Sequence, residues 1–328
     1  MEYLLAMPLS FVPAFGAAAL VYWLDRYEKE PRLLLGLVFG WGAVVAVIGA
    51  VIAQVSLEGA VAAISGSEEA ASVAATTLFA PLTEESLKGL AVLSVFLLLR
   101  REFDSLLDGL VYSAVVALGF AATENVLYLG SEGQESGLAA MMGLFTLRVL
   151  MGLWDHPFFT AFIGIGLAIS RLSRSAWVAW LAPVVGWALA CFFHALHNIL
   201  AVSTETSPAF FLAMKGVDWG GWIFMAILIG MANAHERRLL TRHLGEERDG
   251  GLMTPAQYHA ATSSWRRTGA CLRALPSGRW RATRRFYKAC GELAHKKDQL
   301  ARLGEADHGP IIQQLRGELG TLTRHAEV

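Results

Sequence analysis

Apolar residues fill seven long stretches of the chain, and short polar segments separate them. The stretches lie at 3–24, 33–55, 73–99, 106–129, 138–170, 177–203 and 218–234. A membrane-spanning helix needs about 20 consecutive apolar residues. The pattern therefore predicts an all-α, polytopic membrane bundle of about seven spans. Composition agrees, because only 17% of the 328 residues are charged, against about a quarter in soluble domains.

Basic residues set the predicted orientation of the bundle. Segments with Lys or Arg, at 25–32, 100–101, 171–174 and 236–238, alternate with segments that have neither, at 65–69, 131–136 and 203–208. Basic loops stay on the cytoplasmic side of a membrane. The N-terminus is therefore predicted outside and the C-terminus in the cytoplasm. The first stretch has no basic residues before it, so we interpret it as a retained span and not as a cleaved signal peptide.

The fifth stretch, 138–170, is longer than one span needs. It contains Trp154-Asp155-His156-Pro157, and proline breaks or kinks a helix. We expect one crossing there, preceded by a tilted or surface-lying segment. The alternative is an eight-crossing arrangement, which would reverse the orientation of everything after it.

The last part of the chain has a different composition. From residue 235 onward there are 17 Lys and Arg against 10 Asp and Glu, which leaves 10 against 18 for the rest. We therefore predict a transmembrane domain, 1–238, and a basic cytoplasmic helical tail, 239–328. The tail has no motif for reading nucleic-acid bases. The three cysteines, at 191, 271 and 290, have no spacing typical of a disulfide framework or of a cysteine zinc site.

Two local patterns predict helices in the tail. Thr254-Pro255 is typical of a helix start. Between Arg279 and Leu303, the apolar residues Phe286, Leu293 and Leu300 recur at sevenfold spacing among basic ones, which predicts an amphipathic helix. A second helix is expected after Pro310. This tail is either a solvated helical hairpin or an element that binds the membrane surface or a cytoplasmic partner.

Four consecutive apolar stretches carry ionisable residues. The sets are Glu84, Glu85 and Lys88 in the third stretch, Glu124 in the fourth, Arg148, Asp155 and His156 in the fifth, and His194, His197 and Asn198 in the sixth. Charges are expensive inside a bilayer, so such residues indicate a functional site. With a rise of about 1.5 Å per residue and the N-terminus outside, all four sets are expected in the outer half of the membrane.

Two kinds of chemistry suit such a collection of residues. Carboxylates and imidazoles can hold a zinc-class cation and leave one position open for water, and a further glutamate can take the proton from that water. Without a metal, a glutamate can itself activate water while His and Asn stabilise the oxyanion. The residues alone leave both mechanisms open.

The motifs resemble the PrsW family of intramembrane proteases, relatives of the CAAX prenyl proteases and of a non-catalytic gamma-secretase subunit. The matching features are Glu-Glu-x-x-Lys at Glu84, Glu85 and Lys88, Phe-x-x-x-Glu at Phe120 and Glu124, the isolated His156, and His-x-x-x-Asn at His194 and Asn198. Asp-Arg-x-x-x-Glu-Pro, from Asp25 to Pro31, and Asp108-Gly109 leading to Gly119-Phe120 are similar too. His197 has no place in the pattern, and the tail lies outside the resemblance.

The resemblance implies hydrolysis of a peptide bond in a single-span membrane protein, such as an anti-sigma factor, near the outer leaflet. Glu84 or Glu85 would be the general base, with Glu85 slightly preferred. Lys88 would hold the glutamate pair, and Asn198 would orient His194 or the substrate carbonyl. His156, His194 and Glu124 would bind either a metal ion, for which Zn²⁺ is the candidate, or the oxyanion. The alternatives are a non-catalytic scaffold or receptor with a buried Glu/His network, and a proton-coupled transporter.

Overall fold

A computed structural model describes residues 1–25, 29–99, 103, 105–303 and 308–328, and within them it is helical and has no strand. Arg26, Arg100 and Arg101, on which the motif and the orientation partly rest, lie outside the described residues. The described chain forms two compact units. The first is Met1–Leu24 with Glu30–Leu228, and the second is Ile229–Val328 with Asp25 and Lys29. The proposed division after residue 238 stays a prediction.

Helices α1 to α10 account for the apolar stretches, and α10 continues into the second unit. Their bounds are α1 Glu2–Leu24, α2 Arg32–Gly40, α3 Val47–Ser65, α4 Glu68–Ala74, α5 Ala80–Leu98, α6 Leu106–Ser136, α7 Leu138–Phe145, α8 Asp155–Leu172, α9 Ala176–Ser203 and α10 Pro208–Asp249. Single π-helical turns join α2 to α3 at Trp41–Ala46 and α4 to α5 at Ala75–Phe79, and a third follows α7 at Thr146–Leu150.

The helices confirm the predicted polytopic membrane bundle. Six helical segments of the described chain are long and apolar enough to cross a membrane. The continuous rod of α4 and α5 is a seventh apolar segment, and Glu84, Glu85 and Lys88 interrupt its hydrophobicity. In the fifth stretch the chain leaves the helix between Met151 and Trp154, and α8 begins at Asp155. Pro157 lies in the first turn of α8, where proline removes no helical hydrogen bond.

Glycines let the helices of the first unit approach each other closely. α6 packs against α1, α2, α5, α7 and α8. A Cβ added at Gly119 would lie 2.2 Å from the carbonyl oxygen of Phe39, and one at Gly109 would lie 2.4 Å from that of Gly164. Small residues at such contacts are typical of membrane helix packing. The glycines of the Asp108-Gly109 and Gly119-Phe120 motif therefore bring backbones together around the centre of the unit.

The second unit has a hydrophobic core of its own. It contains the end of α10 and four helices, α11 Pro255–Ala261, α12 Ser264–Arg273, α13 Trp280–Leu303 and α14 His308–Leu322. The predicted start at Thr254-Pro255 is confirmed, because Thr254 and Gln257 form a capping box. α14 begins two residues before Pro310. Phe286 and Leu293 of α13 are fully buried in this core, whereas Leu300, the third residue of the predicted apolar face, is 37% exposed. The core therefore covers the first part of that face and not its end.

Candidate active site

α5 carries three charged residues that are almost completely buried. Glu84 is 4% exposed, and Glu85 and Lys88 are 0% exposed. Their spacing places them on one helical face, and the Lys88 Nζ lies 2.5 Å from Glu85 Oε1 and 3.8 Å from Glu84 Oε2. One buried ammonium therefore serves two adjacent carboxylates, so the two glutamates compete for a single counter-charge.

Glu85 is held on both of its oxygens. Its Oε1 lies 2.9 Å from Nδ1 of His194 as well as against Lys88, and its Oε2 accepts a 2.8 Å hydrogen bond from the Thr160 hydroxyl. These contacts link α5 to α8 and α9. Glu85 is thus a fully satisfied carboxylate that fixes the orientation of the His194 ring.

Glu84 has one held oxygen and one open oxygen. Gln54 of α3 donates a 3.0 Å hydrogen bond to Glu84 Oε1. Glu84 Oε2 is buried and has no hydrogen-bond partner in the described structure, and Nε2 of His194 lies 3.8 Å from it. A buried acceptor without a partner is costly. The open oxygen therefore indicates a place for a ligand or a reacting group.

His156, at the start of α8, bridges Lys88 and Glu124. Its Nε2 lies 2.9 Å from Glu124 Oε2, and its Nδ1 lies 3.2 Å from Lys88 Nζ. Arg148 donates a second, 2.8 Å bond to the same Glu124 oxygen and a 2.9 Å bond to Oδ1 of Asn125. The rings of His156 and His194 meet edge to face, with centroids 5.1 Å apart. Glu124 thus supports His156 as Glu85 supports His194.

Asn198 lies one turn beyond His194 but points to a different partner. Its Nδ2 donates a 2.8 Å hydrogen bond to the carbonyl of Thr76, within the π-helical turn Ala75–Phe79. In the described structure, Nδ1 of His194 pairs with Oε1 of Glu85 and not with Asn198. The idea that Asn198 orients His194 has no support in these contacts.

A second buried polar network adjoins the site and was not recognised in the sequence. His197 Nδ1 lies 2.8 Å from Asp218 Oδ1, and Lys215 Nζ lies 3.0 Å from Asp218 Oδ2 and 3.5 Å from Asp155 Oδ2. Trp222 donates a 3.1 Å bond to Asp155 Oδ1. Asp155 precedes His156, so this network ties α10 to the beginning of α8. His197, which had no place in the motifs, belongs to it.

Gln54 and Thr160, which contact Glu84 and Glu85, are not among the predicted site residues. Gln54 is an uncharged polar residue within the apolar stretch 33–55, and that isolated position is the signal in the sequence. Thr160 follows His156 by four residues and therefore lies on the same face of α8.

Both networks line one cavity of about 1020 Å³ in the first unit. Glu84, Glu124, His156 and His194 line its interior. Other lining residues lie at the start of α1, in the second halves of α3, α4 and α6, and just after α9. They are Tyr3, Glu58, Ser72, Ser131 and Glu205. The side chain that carries the open oxygen therefore lines a cavity large enough for a short peptide segment.

Glu84, His156 and His194 fit a metal ion. One ligand atom from each lies within 4.8 Å of the others, and two imidazoles with one carboxylate form a set that binds zinc in hydrolases. The open Glu84 oxygen supplies a free ligand atom. Carboxylates behind ligating imidazoles are typical supporting groups, and Glu85 and Glu124 occupy those positions. Lys88 Nζ contacts this set directly, 3.2 Å from His156 Nδ1 and 3.8 Å from Glu84 Oε2, and Arg148 approaches it through Glu124.

Comparison with known proteins identifies the family. The family model described as PrsW family intramembrane metalloprotease matches residues 30–235. The chain belongs to the PrsW family. Its relatives include "Protease PrsW" of Geobacillus kaustophilus, 32% identical over 59% of this chain and 78% of the relative. "Protease PrsW" of Bacillus subtilis is 31% identical over 52% of this chain and 71% of the relative.

PrsW membership makes the chain an intramembrane protease, a hydrolase of a family described as metal-dependent. "Protease PrsW" of Clostridioides difficile is also 32% identical, over 46% of this chain and 60% of that relative. The matched region contains every residue of the candidate site described above. No solved structure matches the chain significantly.

Proposed function

We propose that this PrsW-family protease hydrolyses a peptide bond in a single-span, membrane-anchored protein, at a centre formed by Glu84, His156 and His194. The observation that carries the proposal is the buried, unpartnered Oε2 of Glu84, which faces His194 in a cavity with room for a peptide. An anti-sigma-factor-like protein is the substrate class that the family resemblance suggests. The family assignment favours the protease over a scaffold or a proton-coupled transporter.

The contacts redistribute the roles that the motifs suggested. The motifs slightly favour Glu85 as the general base, but both of its oxygens accept hydrogen bonds from neighbouring side chains. We assign it to orienting His194 and neutralising Lys88. Glu124 holds His156 and Arg148, so we assign it a supporting position behind the metal ligands. Glu84 is left as the carboxylate that meets the substrate.

The proposed centre would hold a zinc-class cation with Glu84, His156 and His194. When bound, such a cation supplies Lewis-acid polarisation of the scissile carbonyl. Lys88 supports a metal-free alternative, because its ammonium group, 3.2 Å from His156 and 3.8 Å from Glu84, already provides positive charge there. In that alternative Glu84 takes the proton from the attacking water.

The proposed position of the reaction is the outer half of the membrane. Support comes from the cavity, whose outermost lining residues lie near the N-terminus and the segments 65–69, 131–136 and 203–208. Those segments carry carboxylates and no Lys or Arg, a composition typical of loops outside the cytoplasm. This orientation, with the C-terminus in the cytoplasm, stays part of the proposal.

Cleavage of reporter proteins tests the proposal. The purified protein would be incubated with single-span reporters, with and without a strong chelator, and the cleaved bond mapped by mass spectrometry. We expect cleavage toward the outer end of the reporter's apolar segment, loss with chelator and recovery with Zn²⁺. Bound metal, measured by elemental analysis, should fall in His194→Ala. Cleavage that resists the chelator, with no bound metal, would replace the zinc centre by the glutamic mechanism.

A further inference from the structure

The second unit contains a basic cleft that the proteolytic function does not use. The cleft measures about 740 Å³, and residues of α10 and of the start of α12 line it. Its cationic members are Arg237, Arg238 and Arg242, all exposed. None of the three forms an ion pair with any residue in the described ranges, and the described lining of the cleft contains no Asp or Glu. Within the described part of the chain, three positive charges therefore converge on a concave surface without a counter-charge.

The beginning of α12 adds to the positive potential. Ser263 occupies the N-cap and makes no side-chain capping bond to the helix, and the first turn has no acidic residue. A helix N-terminus carries partial positive charge and open backbone N–H groups. Ser263 also offers a hydroxyl group to the cleft. The lining thus combines guanidinium forks, a hydroxyl group and a helix N-terminus, which is chemistry suited to a phosphate.

The cleft also begins where the apolar part of α10 ends. The last apolar stretch runs to Ala234, which lines the cleft, and Arg237 follows within one turn of the same helix. The end of an apolar stretch marks the membrane boundary. Trp265 lines the cleft and is 69% exposed, and tryptophan concentrates at the level of lipid headgroups. A phosphate bound here would therefore lie at headgroup depth.

We propose that this cleft binds the phosphate headgroup of an anionic phospholipid from the leaflet in which α10 ends. The arginines would hold the phosphate oxygens, and Trp265 and Ala234 would contact the glycerol and the first acyl carbons. An acidic peptide is the less suitable occupant, because it would leave the apolar rim of the cleft uncovered. The proposal is independent of the proteolytic function.

Native mass spectrometry of the full-length protein in detergent tests the cleft. Phosphatidylglycerol and phosphatidylcholine with identical acyl chains would be titrated separately. We expect one preferred phosphatidylglycerol site, weakened about a hundredfold in the double variant Arg238→Gln, Arg242→Gln. That factor corresponds to about 2.8 kcal/mol, the size expected for the loss of two charge-assisted hydrogen bonds. The matched control is Arg281→Gln, Arg324→Gln, which removes the same charge from exposed arginines of the same unit outside the cleft.

Three results of these titrations would contradict binding of a lipid phosphate in the cleft. Equal weakening in both double variants would overturn the proposal, because binding would then depend on total charge alone. Competition by inorganic phosphate with equal affinity would assign the cleft to a free anion and not to a lipid. Displacement of the lipid by a polyglutamate peptide of higher affinity would favour a protein partner and contradict us. An unchanged circular-dichroism melting temperature in both variants ensures that a loss of binding reports on the cleft.

Discussion

Glu84 and Glu85 are neighbours in the chain but have different surroundings. Glu85 accepts bonds on both oxygens, whereas Glu84 keeps one buried oxygen open toward the cavity. The difference arises because successive residues on a helix point about 100° apart, so one side chain faces α8 and α9 and the other faces the cavity. The sequence predicts that both glutamates and Lys88 belong to the site. It does not predict which glutamate does what, because their hydrogen-bond partners lie 30 to 109 positions away along the chain.

Lys88 offers a prediction at the scale of the residue. Lys88→Met leaves Glu85 buried without its cation, and breaking a buried ion pair by removing one partner costs about 3 kcal/mol or more. We expect a clearly lower Tm in detergent and no cleavage. The double variant Lys88→Met, Glu85→Gln removes both charges and should recover much of the Tm but none of the cleavage. Additive losses of Tm in the double variant would show that the two groups do not stabilise each other.

At the scale of the element, α6 determines how closely the other helices approach. Gly109 and Gly119 allow backbone contacts with α8 and α2 that no side chain could tolerate. The motif indicates that these two glycines have a structural role but not which one. A glycine can allow a tight turn, the close approach of a ligand or the close packing of two helices. The neighbouring elements supply the answer, because both glycines lie within a regular helix and face a carbonyl oxygen.

Gly119→Ala tests this role. Its Cβ would lie 2.2 Å from Phe39 O, a backbone atom that moves only with its helix. Overpacking of this kind costs about 1–3 kcal/mol or more, so the variant should give a low folded yield and a lower Tm. Gly143→Ala is the control, because a Cβ at that helical position meets nothing within 4 Å. Equal Tm values for the two variants would contradict the close contact.

At the scale of the whole molecule, the hydrophobic pattern predicts most of the architecture. The seven apolar stretches, the break before α8 and the helix after Thr254 all follow from periodicity and from proline chemistry. The three π-helical turns and the second polar network do not, because they depend on which helices meet. The sequence pattern also does not predict the full core of the second unit. Leu240 and Leu244 of α10 belong to that core, although they precede the helices predicted in the tail.

Cys290 can report on the folding of the second unit. Burial raises the pKa of its thiol to about 12 from an ordinary value of 9.0, so the reactive thiolate is scarce in the folded unit at pH 8. With Cys191 and Cys271 replaced by alanine, we expect very slow alkylation of Cys290 at that pH.

Phe286→Ala removes a fully buried ring from the same core and costs about 3–5 kcal/mol. Opening of the unit, and with it alkylation of Cys290, should become at least about a hundredfold faster. Above pH 9 the Cys290 thiol ionises in the unfolded chain but stays protonated in the folded unit. The free energy of unfolding should therefore decrease between pH 9 and 12. Rapid alkylation of the parent protein at pH 8 would show that Cys290 is not enclosed.

The most direct test of the account is the cleavage rate of Glu84→Gln. The amide keeps the shape of the side chain, but it is a poorer metal ligand than a carboxylate and cannot take a proton from water. Under either mechanism we therefore predict an unchanged Tm and at least about a hundredfold slower cleavage. Glu58→Gln makes the same chemical change elsewhere in the cavity and should cleave at the parent rate. A folded Glu84→Gln that cleaves as fast as the parent would contradict the assignment of Glu84 to the reaction centre.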